Sequence, residues 1–367
     1  MDMYFYTNLF FLIFGNALAW YLVVYFFNIN SLLARLILGA VFLVLSISTF
    51  IAFVAVNKKD NWFVRFYYTI SFSWLGILLN FGLSALFLFL SSLALSIFAV
   101  NIPAFLFKIL LAVLTIVLSL KSFYNANRIL VKKETVFINN LPPTWCDKKI
   151  IHISDVHLGP ILRQNFFHRV TSKIKELEPE AIFITGDLFD GSEADFSWIK
   201  KPLNNLKAPM GVYYSFGNHD FTLGTERVKE LLSTEDVFIL DNRLLKKEGV
   251  QIIGLNFNPD RNFDLNREIL SQSGYRADEP SILLFHEPKD TLKSQGLGID
   301  LQLSGHTHGG QMFPFNFLSR YYYHNHSHGL YRRGDYTLCV TAGVGTWGPP
   351  MRLGTRSEII EITLRKK

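Results

Sequence analysis

Seven residues of the chain have side chains suited to hold divalent metal ions: Asp155, His157, Asp187, Asn218, His286, His306 and His308. The densest group is Gly305-His306-Thr307-His308-Gly309-Gly310-Gln311, which follows the apolar run Ile299–Leu303. One His-x-His is as often structural as metal-binding. Here, however, upstream stretches repeat the form of an apolar run followed by Asp, Asn or His beside glycine. Hard or borderline dications take carboxylate, amide oxygen and imidazole ligands, and these strand ends supply all three. A carboxylate between two ions bridges them and offsets part of their repulsion. Two ions ~3.5–4 Å apart suit phosphoryl chemistry, because they activate a water and clamp phosphate oxygens. A further histidine can protonate the leaving alkoxide. His219 is the candidate, with neighbouring Asp220 expected to hold its tautomer.

The elements that must position these residues read as strand, loop and helix in repetition. Strands are expected at Ile150–Ser154, Ala181–Thr185, Val212–Phe216, Val237–Leu240, Val250–Leu255, Ser281–Phe285, Ile299–Leu303, Thr337–Thr341 and Glu358–Leu364, with a short one at Glu134–Ile138. Helices are expected at Asn165–Leu177, around Ala194–Leu206 and at about Thr225–Leu232. Continuous apolar runs, as opposed to alternating ones, suit strands buried on both faces. Two stacked sheets between helix layers fit the strand count better than one large sheet. The glycines permit the sharp turns at the strand ends, where open α/β sheets place their ligands.

Asp155-x-His157, Gly186-Asp187, Gly217-Asn218-His219-Asp220, His286 and Gly305-His306-Thr307-His308 occur in that order, each after an expected strand. The set resembles the calcineurin-like metallophosphoesterase superfamily. The extension Gly309-Gly310-Gln311 and the tail Ala342-Gly343-Val344-Gly345-Thr346, with Arg352 and Glu358-Ile359-Ile360, resemble its YkuE/YaeI-like branch. The resemblance covers roughly 148–364. It implies an α/β four-layer sandwich, with two β-sheets between helix layers. It also implies a two-ion site. One metal would be held by Asp155, His157, Asp187 and His308, the other by Asp187, Asn218, His286 and His306, so that Asp187 bridges. His219 would be the general acid or a phosphate-binding histidine. The implied metals are manganese, iron or zinc.

Composition separates this half from the one before it. Met1–Lys121 holds no glutamate, two aspartates and six Lys/Arg. Four apolar stretches, at about 3–27, 32–56, 69–100 and 103–120, are each near or above the ~20 residues a helix needs to cross a bilayer. The expected organisation is an all-α transmembrane domain over 1–123, a juxtamembrane connector over 124–147 and the phosphoesterase domain over 148–367. Ser122–Lys133 is expected to continue the last helix. Asn80, Gly82 and Ser84 are expected to pack against a neighbouring helix, and Lys108 to snorkel from near a span's end. Lys58, Lys59, Arg65, Lys121, Arg128, Lys132 and Lys133 fall on one side of the bilayer and Arg35 and Lys108 on the other. This seven-to-two split places the C-terminal domain in the cytoplasm, at a bacterial inner membrane. The same split accounts for the net charge of +6, so no specific nucleic-acid partner is expected. With Cys146 and Cys339 alone, neither a disulfide framework nor a thiolate cluster is indicated.

The expected partners are thus the bilayer and a phosphoester substrate. Arg332 and Arg333 are candidates to meet a phosphate, and the run Tyr321–His328 is expected as a loop near the site, in contact with substrate or the membrane surface. Asp190 is a candidate to orient a ligand or to cap a helix, and Cys339 reads as core. Two rival readings accompany the phosphomonoesterase or phosphodiesterase one. The first is a lipid pyrophosphatase acting on a substrate such as UDP-2,3-diacylglucosamine. The second is a membrane sensor that binds a phospho-ligand without turnover, against which the intact ligand set argues. Oligomeric state has no signature in the sequence.

Overall fold

The computed structural model describes residues 2–192, 194–234, 236–257, 263–289 and 291–367. The chain divides into two units, one holding the apolar helices and the other both sheets.

The helical unit contains α1 (Asp2–Phe26), α2 (Leu32–Lys58), α3 (Trp62–Ser96) and α4 (Ala104–Asn127). Among the described residues, α2, α3 and α4 are long and apolar enough to cross a membrane. α3 begins seven residues before the expected Thr69, because Asn61 caps it: the Asn61 side chain accepts from the Val64 amide at 3.0 Å. Polar side chains join the helices, as expected where lipid gives no hydrophobic drive. Buried Asn80 donates to Ser119 Oγ at 3.2 Å, and Trp74 Nε1 donates to Asn16 Oδ1 at 2.9 Å. Ser84 is fully buried as expected. Gly82 is different: among the described residues, a side chain added there would meet nothing within 4 Å.

The second unit contains strands β1 (Leu130–Ile138), β2 (Lys149–Ile153), β3 (Ala181–Thr185), β4 (Val212–Ser215), β5 (Val237–Ile239), β6 (Arg243–Lys247), β7 (Val250–Leu255), β8 (Ser281–Phe285), β9 (Leu301–Ser304), β10 (Gly329–Arg333), β11 (Tyr336–Val340) and β12 (Glu358–Lys366). Its helices are α5 (Gln164–Glu176), α6 (Lys200–Leu203), α7 (Asn218–Leu223), α8 (Thr225–Leu231), α9 (Phe263–Gln272), α10 (Thr291–Gly296) and α11 (Phe315–Tyr322). Two six-stranded mixed sheets form, in the orders β1-β12-β2-β3-β4-β5 and β10-β11-β9-β8-β7-β6. This is the two-sheet, helix-flanked architecture that the strand runs and the resemblance imply.

Period-two alternation sends each apolar strand into two cores. In the first sheet Ile150, Phe183 and Tyr213 join Ile252, Leu284 and Leu303 of the second in one core. Their neighbours Ile151, Ile182 and Tyr214 pack instead with Phe167, Val170 and Ile174 of α5. Strands β2 to β5 run parallel, as do β7, β8, β9 and β11. Each sheet therefore gathers the carboxyl ends of its parallel strands along one edge.

The expected helical continuation after Ser122 stops at Asn127. The connector expected over 124–147 contributes β1, which pairs in parallel with β12 over nine residues. Val136 and Ile138 are fully buried there, so the phosphoesterase sheet begins before residue 148.

Candidate metal centre

Each of the seven residues follows the carboxyl end of a parallel strand: Asp155 and His157 after β2, Asp187 after β3, Asn218 after β4, His286 after β8, His306 and His308 after β9. Five of them, Asp155, His157, Asp187, His306 and His308, have left-handed backbone with φ between 48° and 69°. That conformation costs an L-residue about 1–2 kcal/mol. Its concentration at strand ends marks a place where position outweighs local stability. Close approach fixes two of the glycines. A side chain at Gly305 would lie 2.2 Å from Asp155 Oδ2, and one at Gly217 would lie 2.2 Å from Asp187 Oδ1.

The side chains converge in three groups able to hold a cation: Asp155 with His157 and His308; Asp187 with His286 and His306; and His157 with Asp187 and His219. His157 Nε2 and His308 Nε2 are 3.0 Å apart, and His306 Nδ1 and His286 Nε2 are 3.2 Å apart. Asp187 Oδ2 lies 3.1 Å from His286 Nε2, and Asp155 Oδ1 lies 3.4 Å from His308 Nε2. Asn218 Oδ1 is buried without a hydrogen-bond donor among the described residues. Imidazole nitrogens aimed at each other beside buried carboxylates, together with an orphaned amide oxygen, suit divalent cations.

Electrostatics follow from burial. Burial opposes the charge on His286, yet Asp187 and Asp155 lift it to about 10. Its Nδ1 donates to the Thr185 carbonyl at 2.7 Å, which fixes the ring. Burial would raise both aspartates, but the histidines hold Asp155 and Asp187 well below the ordinary carboxylate range. Burial lowers His306 to about 4, helped by His286. Burial likewise holds His308 well below the ordinary histidine range.

His219 is placed beside the cluster. Its backbone amide donates to Asp187 Oδ1 at 2.8 Å. Its Nδ1 meets the Asp190 carbonyl oxygen at 2.7 Å, and burial lowers its pKa. The expectation that Asp220 holds the His219 tautomer is corrected. Asp220 Oδ2 instead accepts from the backbone amides of Asp187 and Gly217, both at 2.8 Å. It ties the end of β3 to the start of α7, and burial with Asp187 raises it to about 7. Asp190 supports His219 through its carbonyl, and its carboxylate accepts from Ser192 instead of a ligand.

Arg332 and Arg333 are not brought to the centre. They pair with Thr337 and Tyr336 at the start of β11, whereas the ligands sit at the opposite ends of the strands. Arg332 donates to the Thr135 carbonyl at 2.7 Å. The Tyr321–His328 run does reach the site: the Tyr323 ring stands edge-on to His306, 6.2 Å between centroids. Cys339 is buried in β11, as expected.

Sequence reasoning did not assign three supporting residues. Fully buried Arg352 donates to the carbonyls of Ala342 and Gly343 and lies 3.3 Å from His308 Nδ1. Buried Glu287 lies 3.5 Å from His306 Nε2. Gln311 grips the backbone of Trp347 through both ends of its amide, and the Trp347 ring stands 6.1 Å from that of His219. Arg352 and Gln311 carried a signal only as part of the motif tail.

Comparison with known proteins agrees with this geometry. Residues 148–310 match the family described as calcineurin-like phosphoesterase. A metallophosphoesterase of Campylobacter jejuni is 37% identical over 270 residues, covering 71% of this chain and 70% of that one. A zebrafish transmembrane protein with metallophosphoesterase domain is 32% identical, covering 62% and 56%. The metallophosphoesterase YkuE of Bacillus subtilis is 31% identical, covering 64% and 84%. The chain belongs to the calcineurin-like phosphoesterase family. Membership makes it a metallophosphoesterase, a hydrolase of phosphoric ester bonds that uses divalent metal. Its apolar helices make it a membrane protein.

Proposed function

We propose that the chain is a membrane-anchored phosphoesterase with a dinuclear centre, hydrolysing phosphomonoester or phosphodiester bonds. The observation that carries this reading is buried Asp187, which groups with His286 and His306 on one side and with His157, a member of the Asp155–His308 group, on the other. Asp155, His157, Asp187 and His308 would hold one ion, and Asp187, Asn218, His286 and His306 the other. Bound there, two ions would supply an activated water and a clamp for the phosphate oxygens.

The chain's own residues do the rest. Thr185 orients His286, Asp220 fixes the backbone that presents Asp187, and Arg352 holds the loop behind His308. With Nδ1–H donated to the Asp190 carbonyl, His219 keeps Nε2 free to face the substrate. The negative charge of an arriving phosphoester favours a proton, taken from solvent, on that Nε2, and the leaving oxygen can take it from there. The proximity of His219 to His157 and Asp187 supports a second role, as a ligand. The two roles separate on mutation.

The positive-side asymmetry supports a cytoplasmic C-terminal domain at a bacterial inner membrane. A reporter fused after Lys367 that is active only outside the cytoplasm would reverse that assignment. The activity is tested with the full chain in detergent, supplied with manganese, on bis(p-nitrophenyl) phosphate and p-nitrophenyl phosphate. Turnover of either is expected. Protein that is folded and fully metal-loaded yet inert on both would favour the sensor reading.

A further inference from the structure

Helix α11 is amphipathic in the wrong direction for a soluble domain. At 100° per residue, Phe315, Phe317, Leu318, Tyr321 and Tyr322 share one arc, and Asn316, Ser319 and Arg320 the other. The apolar arc faces out: Phe317 is 64% exposed, Leu318 62% and Tyr321 83%. The polar arc faces in, with Asn316 Nδ2 donating to the Gly309 carbonyl at 2.6 Å and Ser319 Oγ buried. No residue of α11 is buried. Soluble proteins avoid contiguous exposed patches of this kind unless something covers them.

The patch is joined to the metal centre. The Asn316 bond anchors α11 to the turn that carries His308. Directly after α11, Tyr323 meets His306. Phe257, 6.5 Å from the same imidazole, and Trp347 beside His219 continue the apolar rim. Trp347 is 58% exposed, an aromatic wall with one face to solvent. At the polar margin stand exposed Arg320 and half-buried Lys289, which pairs with Glu287 at 2.7 Å and whose ammonium lies over the Tyr322 and Tyr323 rings at 5.4 and 5.8 Å. Tyrosines at the boundary of an apolar face and cations at its edge are the composition of a helix lying in a lipid interface. The same chain carries helices that hold it on a bilayer, so such a surface is always within reach.

We propose that α11 docks into the headgroup–acyl boundary of a phospholipid bilayer and sets the metal centre at headgroup level. The substrate class is then a phosphoester carried by a membrane lipid, its acyl part guided along α11 and the aromatic rim. The substrate half of this proposal rests on the phosphoesterase reading; the docking half does not.

The test uses the full chain, with Cys146→Ser, in nanodiscs of phosphatidylcholine and phosphatidylglycerol. Leu318→Cys and Tyr321→Cys are each labelled with bimane, with Glu226→Cys on exposed α8 as control and Phe317→Cys in place of any variant that fails to fold. Blue-shifted emission and quenching by lipids with a nitroxide high on the acyl chain are expected at 318 and 321 and not at 226. Quenching no greater than at 226 would overturn docking. A label shielded from both lipid nitroxide and aqueous iodide would assign the face to protein contact and overturn it equally. Turnover of bis(p-nitrophenyl) phosphate by the same samples reports the phosphoesterase reading separately, so either can fail alone.

Discussion

Asp187 Oδ2 lies 3.1 Å from Nε2 of His286 and 4.0 Å from Nε2 of His157, so one buried carboxylate faces an imidazole from each group of candidate ligands. Without a cation the carboxylate is balanced by protonated histidine, which is why His286 is lifted to about 10. A cation and that proton compete for the same nitrogen.

Metal uptake should therefore be proton-linked. His286 enters a neutral-pH titration charged and must bind metal neutral. Below pH ~10 each unit rise should tighten apparent affinity by about tenfold from this group alone. Isothermal titration of metal-stripped protein in buffers of different ionisation heat measures the protons released. At least one per chain is expected at pH 7.5.

His219→Gln should keep close to the parent metal content and slow hydrolysis by ~10²–10⁴, the worth of a general acid. The loss should shrink on aryl phosphodiesters, whose phenolate leaves without a proton, relative to alkyl ones. Equal slowing of both would assign His219 to phosphate binding. Loss of metal would assign it as a ligand, in line with its distance to His157 and Asp187.

β1 should be indispensable to the sheet unit. A truncation beginning at Asn125 retains it and should be folded and soluble. One beginning at Asn140 uncovers the edge of β12 and removes buried Val136 and Ile138, worth about 1.5–3 kcal/mol each. Thermal melts and size-exclusion profiles of the two compare them directly. Equal stability would make β1 an appendage.

Much of this was legible in the sequence because the chemistry sits at strand ends and the inner strands are continuous apolar runs. Ile182–Ile184 and Leu283–Leu284 announce themselves that way. β6 and β10 do not: as sheet edges they carry Arg243, Lys246, Lys247, Arg332 and Arg333, the charges that keep edges from pairing with other chains. Arg332 and Arg333 stand on such an edge, at the strand ends opposite the ligands. Asp220 adjoins His219 in sequence, and adjacency alone suggests a pairing that the helix does not allow. On α7 consecutive side chains point about 100° apart and do not face each other. Arg352 and Glu287 act on ligands distant in sequence, a relation that only the folded topology creates. α11 overlaps the run read as a loop from Tyr321, and periodicity would show only that a helix has an apolar face, not which way the face looks.

The central claim is that Asp187 serves two ions at once, and metal stoichiometry tests it most directly. At ~3.5 Å and an effective dielectric of 20, two dications repel by about 19 kcal/mol before ligands offset it. A neutral amide cannot supply the shared anion. Elemental analysis of the full chain after saturation with manganese and desalting should give two ions per chain for the parent protein. Asp187→Asn should hold at most one and hydrolyse no phosphoester. A single ion in the parent, or two retained in Asp187→Asn, would contradict the dinuclear centre.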